Sequence, residues 1–314
     1  MSNPLVLVIA DPKASFLSGL SRARENTRIV VTDNPEELTR LAPEADAILY
    51  AHGKSELLSG VLPRAVRLGW VHSLWTGVEG ILSAELLAHP AVLTNGRGVF
   101  RWPLAQWTVG VMLFFSFDLR RVLQQQEQGV WKQFVSSTLE GRTLGIVGYG
   151  AIGSAVAERA RPFGMKILAF RRRPELFHGD PLVDQSYGPG QLKTLMAESD
   201  YVVVVTPLTA ETRGLVGASE IAAMKSTGVL INIGRGPVVD EAALIQALQS
   251  GSIRGAALDV FDTEPLPAGH PFWGMRNVLL SPHTADRVEG FLIPALDSFL
   301  ENLERFLKNQ PLLN

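Results

Sequence analysis

Three side chains far apart along the chain have the types that a carbonyl reduction needs: Arg235, Glu264 and His283. Hydride addition to a ketone leaves charge on its oxygen. A positioned imidazolium can protonate that oxygen, an effect of about 10²–10⁴ in rate. A carboxylate against the other ring nitrogen orients the imidazole and raises its pKa. An arginine can grip a carboxylate or carbonyl oxygen with its planar fork. On this chemistry His283 reads as the acid/base, Glu264 as its partner and Arg235 as the group that binds and polarises the substrate. Each alone has an ordinary explanation: a strand-end cap, a surface charge, a loop histidine. Their placement argues for more. Each follows its own apolar run: Gly228–Ile233 precedes Gly234-Arg235-Gly236, Ala256–Val260 precedes Asp262-Thr263-Glu264, and Asn277–Leu280 precedes Ser281-Pro282-His283. Ligands bind beyond the carboxyl ends of parallel strands, so the spacing predicts all three on one rim.

The elements that must position them begin with Thr143 to Arg173. An apolar run, Leu144–Val147, reads as a buried parallel strand. It ends in Gly148-Tyr149-Gly150-Ala151-Ile152-Gly153, followed by a helical stretch to about Arg161 and a second strand, Lys166–Phe170. This strand–glycine turn–helix–strand context makes G-x-G-x-x-G a dinucleotide fingerprint. Gly148 would allow the tight turn, Gly150 the approach of backbone to a pyrophosphate, and Gly153 close packing of helix on strand. The helix N-terminus offers N–H groups and a positive dipole end to the phosphates. Further strands are expected at Tyr201–Val205, Gly228–Ile233, Ala256–Val260 and Asn277–Leu280. Six parallel strands predict a doubly wound dinucleotide-binding domain over residues 99–286.

The 314 residues suggest two domains, on a prior of about 150 residues each. Upstream strands are expected at Leu5–Ala10, Arg28–Thr32, Ala47–Tyr50, Gly69–Leu74 and Ala91–Thr94, with helices at Phe16–Arg24 and Pro35–Leu41. They predict a smaller α/β substrate-binding domain. An amphipathic helix, Phe291–Lys308, follows the last strand and is expected to pack back on it. The first domain is then discontinuous, residues 1–98 and 287–314. One long helix is expected from Pro103 to about Gln128; its apolar part suits either a core helix or one covered by a second subunit. A net charge of −2 gives no basic field for nucleic acid. With no cysteine there is no disulfide or thiolate chemistry, and no metal site is expected. The N-terminus lacks the basic region of a signal peptide, and Val109–Phe117 is far short of the roughly 20 residues that span a bilayer. A cytoplasmic protein without membrane contact is the expectation.

From Leu144 to His283 the sequence resembles the D-isomer-specific 2-hydroxyacid dehydrogenase family, and nearly the whole chain follows it. The matching motifs are GYGAIG, VTPLTAETRGLV, LINIGRGPVVDE, GAALDVFDTEPLP and NVLLSPH. The resemblance implies a flavodoxin-like first domain and makes Arg235, Glu264 and His283 the catalytic triad. It implies a nicotinamide contact at Asp259, with Thr206, Pro207, Ile233 and Gly234 also lining the cofactor beside Arg235 and His283. It assigns the backbone N–H groups of Trp75, Thr76 and Gly77, with Arg235, to the carboxylate of a 2-keto or 2-hydroxy acid. It also implies a homodimer built on the region of the 103–128 helix. In relatives that reduce glyoxylate and hydroxypyruvate a partner tryptophan approaches the substrate, and Trp131 is the candidate here.

The chain departs from the family in places. Members that prefer NAD carry an acidic residue at the end of the second nucleotide strand, for the ribose 2′-OH. Here Arg171 stands there, followed by Arg172 and Arg173. Guanidinium groups would bind a 2′-phosphate at about 1.5–3 kcal/mol per charged hydrogen bond, so NADPH is expected over NADH. Gln106 replaces a usual glutamate, and Thr284-Ala285-Asp286-Arg287 replaces smaller residues after the histidine. The expected activity is NADPH-dependent reduction of a small 2-keto acid, of the glyoxylate or hydroxypyruvate type, to the D-2-hydroxy acid. The alternatives are a dehydrogenase for a larger or phosphorylated acid, and a non-catalytic dinucleotide-sensing protein of the corepressor kind.

Overall fold

Strands that are apolar end to end, alternating with helices, build two all-parallel sheets here. The computed structural model describes residues 3–23, 27–177 and 179–314. The chain divides into two compact units, Met1–Phe100 with Val288–Asn314, and Arg101–Arg287.

The first unit comprises β1 (Leu5–Ile9), β2 (Arg28–Thr32), α1 (Pro35–Leu41), β3 (Ala45–Tyr50), α2 (Ser55–Val61), β4 (Trp70–Ser73), α3 (Ala84–Ala88) and β5 (Val92–Asn95). Its strand order, β2-β1-β3-β4-β5, is the flavodoxin-like order. β1 is fully buried as LVLVI, which is why it reads as an unbroken apolar run. Asn34 caps α1, its side chain accepting from the N–H groups of Glu36 and Glu37, and Pro35 takes the first turn. The helix expected at Phe16–Arg24 is a 3-10 segment, Ser15–Arg22, and Arg24 lies outside the described residues.

The second unit holds α4 (Arg101–Ser116), α5 (Leu119–Glu127), β6 (Thr143–Val147), α6 (Ala151–Ala160), β7 (Lys166–Phe170), β8 (Gln185–Tyr187), α7 (Leu192–Glu198), β9 (Tyr201–Val204), α8 (Ala218–Ala222), β10 (Val229–Asn232), α9 (Glu241–Ser250), β11 (Gly255–Leu258) and β12 (Val278–Leu280). The order β12-β11-β10-β9-β6-β7-β8 is the doubly wound arrangement with its reversal beside β6. The sheet has seven strands, not six. The extra one, β8, reads QSY with two exposed residues on the sheet edge, so no apolar run announces it.

The expected single helix over 103–128 is two helices. Asp118 turns into the left-handed region at φ 50° and begins α5. The last carbonyls of α4 are engaged elsewhere. The Arg254 guanidinium donates to the Phe115 carbonyl, and the Ser137 N–H donates to that of Ser116 at 3.1 Å. The apolar circumference of α4 is explained in part by α6, against which it packs with Leu104, Ala105 and Met112 buried.

The chain returns to the first unit with α10 (Ile293–Leu307). Its buried Phe299 ring stacks on Trp70 at 5.2 Å and lies 5.6 Å from His72. Amphipathicity predicted this helix, and Leu296, Phe299 and Leu303 are its buried stripe.

Candidate active site

The three chemically apt residues follow three adjacent strands, β10, β11 and β12. At the end of β10 the buried Asn232 side chain clamps the turn. Its Oδ1 accepts from Gly234 N–H and its Nδ2 donates to the Arg235 carbonyl, both at 3.1 Å. Gly236 then passes so close to the Phe261 backbone that a Cβ there would overlap it. That contact sets the Arg235 loop against the loop that carries Glu264. The Arg235 guanidinium donates to the Gly234 carbonyl at 2.7 Å, and its charge reaches both Glu264 and His283.

Glu264 uses both oxygens. Oε1 accepts from the Phe261 N–H at 2.9 Å, and Oε2 meets His283 Nδ1 at 2.7 Å. The Glu264–Pro265 peptide is cis. His283 sits at φ 53°, a conformation that a side chain-bearing residue rarely adopts. The loop holds it there. His283 N–H donates to the Asp259 carbonyl at 2.9 Å. The Asp259 carboxylate, 2% exposed, accepts from Ser281 Oγ at 2.6 Å and from the N–H groups of Thr284 and Ala285 at 2.9 and 3.1 Å. Asp259 thus anchors the histidine loop, a role that its place in the sequence did not reveal. Asn232 and Ser281 were also missed; the only signal was a polar residue at the end of an otherwise apolar strand.

The electrostatics follow from these contacts. The hydrogen bond to Glu264 raises the His283 pKa above its usual range against the opposing effect of burial, with the Glu264 charge adding to it. Burial works against ionisation of Glu264, but hydrogen bonds from His283 and Phe261 N–H, with the His283 and Arg235 charges, hold it below the carboxylate range. Asp286, burial first, is raised, while the His283 charge pulls it the other way. With Nδ1 turned to the carboxylate, Nε2 is the nitrogen left to exchange a proton with a ligand. An imidazolium backed by a carboxylate, with a guanidinium beside it, can protonate an oxygen on which charge is developing.

Sheet order continues this rim past β9 to β6 and β7. Gly148 lies at φ 106°, and a Cβ on it would stand 2.9 Å from Thr206 N. Gly153 in the first turn of α6 comes so near the strand that its Cβ would lie 2.5 Å from the Gly148 carbonyl oxygen. Gly150, which caps α6, differs: a Cβ there would meet no atom within 4 Å. Packing explains two glycines of the turn, and the third leaves an open face over the N-terminus of α6, where Ala151 and Ile152 begin the helix. Thr206 Oγ1 is buried with no hydrogen-bond partner among the described residues. An open glycine face and an orphaned hydroxyl are what a dinucleotide would fill, so these residues fit such a group. Pro207 is exposed; Ile233 and Gly234 are buried beside the Arg235 turn. The Tyr149 ring is buried against Phe177 at 5.3 Å, and desolvation, then the nearby Asp180, raise its hydroxyl pKa.

The three arginines after β7 part company. Arg171 lies over the Phe177 ring, 5.3 Å from its centroid, and donates to the Leu176 carbonyl at 3.4 Å. Arg172 pairs with Glu211 at 2.5 Å, and Arg173 is exposed.

In the first unit Trp75, Thr76 and Gly77 form a turn after β4. Gly96 N–H donates to the Trp75 carbonyl at 3.2 Å, and the Asn95 amide to that of Thr76 at 2.6 Å. Trp75 N–H already serves Ser73 Oγ at 3.3 Å, so of the three expected donors it is partly engaged. His52, His72, His89 and His270 make local contacts, His178 lies outside the described residues, and no metal-binding group occurs among the described residues. Nor, among them, is any helix long and apolar enough to cross a membrane.

Residues 109–285 match the model of the D-isomer specific 2-hydroxyacid dehydrogenase NAD binding domain. The chain is 35% identical over 259 residues to glyoxylate/hydroxypyruvate reductase B of Serratia proteamaculans, covering 80% of this chain and 78% of that one. A D-isomer specific 2-hydroxyacid dehydrogenase family protein from Aeromonas salmonicida superposes with a TM-score of 0.88 at 32% identity, over 99% of this chain and 98% of the other. A D-isomer specific 2-hydroxyacid dehydrogenase from Xanthobacter autotrophicus, solved in complex with NADPH and MES, gives 0.84 at 29% identity, over 100% and 98%.

Proposed function

The chain belongs to the D-isomer specific 2-hydroxyacid dehydrogenase family of oxidoreductases, and from that premise we propose that it reduces a small 2-keto acid, of the glyoxylate or hydroxypyruvate type, to the D-2-hydroxy acid with NADPH. The observation that carries the reading is the 2.7 Å contact of His283 Nδ1 with Glu264 Oε2 beside Arg235. When bound, the reduced nicotinamide supplies a hydride to the ketone carbon. The carbonyl π electrons move to oxygen, and His283 delivers its Nε2 proton there, completing the hydroxyl. Glu264 keeps the imidazole oriented and favours its acid form, and solvent returns the proton. Arg235 binds the carboxylate and polarises the carbonyl. The turn of Trp75, Thr76 and Gly77 is assigned to the carboxylate on the family resemblance.

Gly148 to Gly153 would hold the pyrophosphate, and Thr206, Pro207, Ile233, Gly234 and Asp259 would line the nicotinamide half. Arg171, Arg172 and Arg173 are assigned to the 2′-phosphate, which an acidic residue at Arg171 would repel. Homodimer assembly through residues 103–128 and a cytoplasmic location belong to the same proposal. The apolar exposure of Phe117, Leu123 and Val130, with Trp131 at 95%, supports a covering subunit there. Initial rates with NADPH and with NADH, across keto acids from glyoxylate to phenylpyruvate, test the reading. The expected result is the highest kcat/KM for a two- or three-carbon keto acid with NADPH. Equal values for the two cofactors, or preference for a bulky acid, would overturn it.

A further inference from the structure

The Arg172–Glu211 ion pair joins two loops that are not neighbours in the sheet. Arg172 follows β7, Glu211 lies in the turn beyond β9, and β6 runs between those strands. Two inter-strand spacings, about 10 Å, separate the ends of β7 and β9. Arg172 Nη1 and Glu211 Oε2 close that gap to 2.5 Å. The pair therefore crosses the carboxyl end of β6, the strand whose end is the glycine turn. The turn that presents Glu211 is itself braced. Thr212 Oγ1 donates to the Pro207 carbonyl at 2.6 Å and accepts from Thr209 N–H at 2.8 Å. Arg171, by contrast, is drawn toward Leu176 and Phe177 on its own side of the sheet.

We propose that Glu211 is a specificity-determining residue: it latches Arg172 over the glycine turn and competes with the cofactor's 2′-phosphate for that guanidinium. The proposal rests on the assignment of the arginine cluster to the 2′-phosphate. A phosphate dianion and a carboxylate seek the same planar donor fork, and the guanidinium cannot serve both fully. NADPH must displace Glu211 from Arg172; NADH, with a neutral 2′-hydroxyl, has no reason to. The latch thus lowers the selectivity that three arginines would otherwise confer. Both side chains are largely exposed, at 73% and 66%, so the effect has the modest size of a surface ion pair.

The test is titration calorimetry of NADPH and NADH binding to wild type, Glu211→Gln, Arg172→Ala and the double variant. Glu211→Gln should tighten NADPH about two- to five-fold, the size of an exposed ion pair, and leave NADH within two-fold. Arg172→Ala should weaken NADPH selectively, and in that background Glu211→Gln should have no further effect. An unchanged NADPH to NADH ratio in Glu211→Gln, or the same tightening with Arg172 absent, would overturn the latch. NADPH preference that responds to Arg172→Ala but ignores Glu211→Gln would remove the latch alone. Wild-type binding without NADPH preference would remove the 2′-phosphate assignment and the latch together.

Discussion

Acid should weaken the first unit through one buried histidine. His72 is fully buried in β4, with Nδ1 2.7 Å from Thr94 Oγ1 and Nε2 without a partner among the described residues. Its ring lies against Trp70 and Phe299, so a second ring proton would be a charge among aromatic rings. Burial accordingly lowers its pKa from 6.5 to about 4. Between those values the unfolded chain binds the proton and the folded one does not, and stability rises with pH wherever that holds. The contribution is therefore intact above pH 6.5, declines as pH falls through that window and levels off below pH 4. At 1.36 kcal/mol per pH interval of one, the full loss is about 3 kcal/mol, of which about 2 kcal/mol has gone by pH 5. His72→Leu removes the titrating group while Trp70 Nε1 still donates to Thr94 Oγ1, at 2.8 Å in the wild type. The variant should be weaker by about 1–2 kcal/mol at pH 7. Its loss on going to pH 5 should be about 2 kcal/mol smaller than that of wild type. Urea unfolding of both proteins at the two pH values supplies the double difference, in which all other titrating groups cancel. An equal loss in the two proteins would show that His72 is protonated without penalty, and the burial argument would fail.

The site makes three further predictions. His283→Ala should lower kcat for keto-acid reduction by about 10²–10⁴ while NADPH affinity stays within two-fold; turnover at the wild-type rate would remove the acid/base assignment. In Glu264→Gln the upward pull on the His283 pKa is gone, so the acid form retreats to lower pH. The alkaline limb of kcat/KM should then shift toward acid, and a pH–rate profile with that limb unmoved would separate Glu264 from the chemistry. Gly153→Ala forces a Cβ to within 2.5 Å of the Gly148 carbonyl and must push α6 from β6, at about 1–3 kcal/mol of stability. NADPH binding should weaken at least tenfold, as calorimetry would show, and wild-type affinity would mean that the turn tolerates the shift.

What could be read in the sequence was what one run of residues announces by itself. β1, β9 and β10 are buried along their whole length, and β6 from Leu144 onward; buried parallel strands are continuous apolar runs. The glycine turn was legible because its three glycines occupy one short window with a strand on either side. β8 was not, since an edge strand of three residues is fixed by pairing with β7, a contact 17 residues away in sequence. The break at Phe117 and Asp118 was hidden for the same reason. Nothing in that segment forbids a helix; Arg254 and Ser137 end it from outside. At the site the reactive side chains were legible by type and the residues that hold them were not. Ser281 and Gly236 act through partners that follow another strand, and Asn232 through the backbone of the turn after it.

That division has a physical consequence. The loops of Arg235, Glu264 and His283 are fixed by contacts that do not involve the imidazole: the Asn232 amide, the close pass of Gly236 at Phe261, and the Asp259 carboxylate with its three donors. Because these holds do not depend on the ionisation of His283, the imidazole can lose its proton in each turnover without releasing its loop. The left-handed backbone at His283 is stable only because Asp259 engages the chain on both sides of it, at Ser281 and at Thr284. Asp259 therefore holds the geometry in which His283 changes charge.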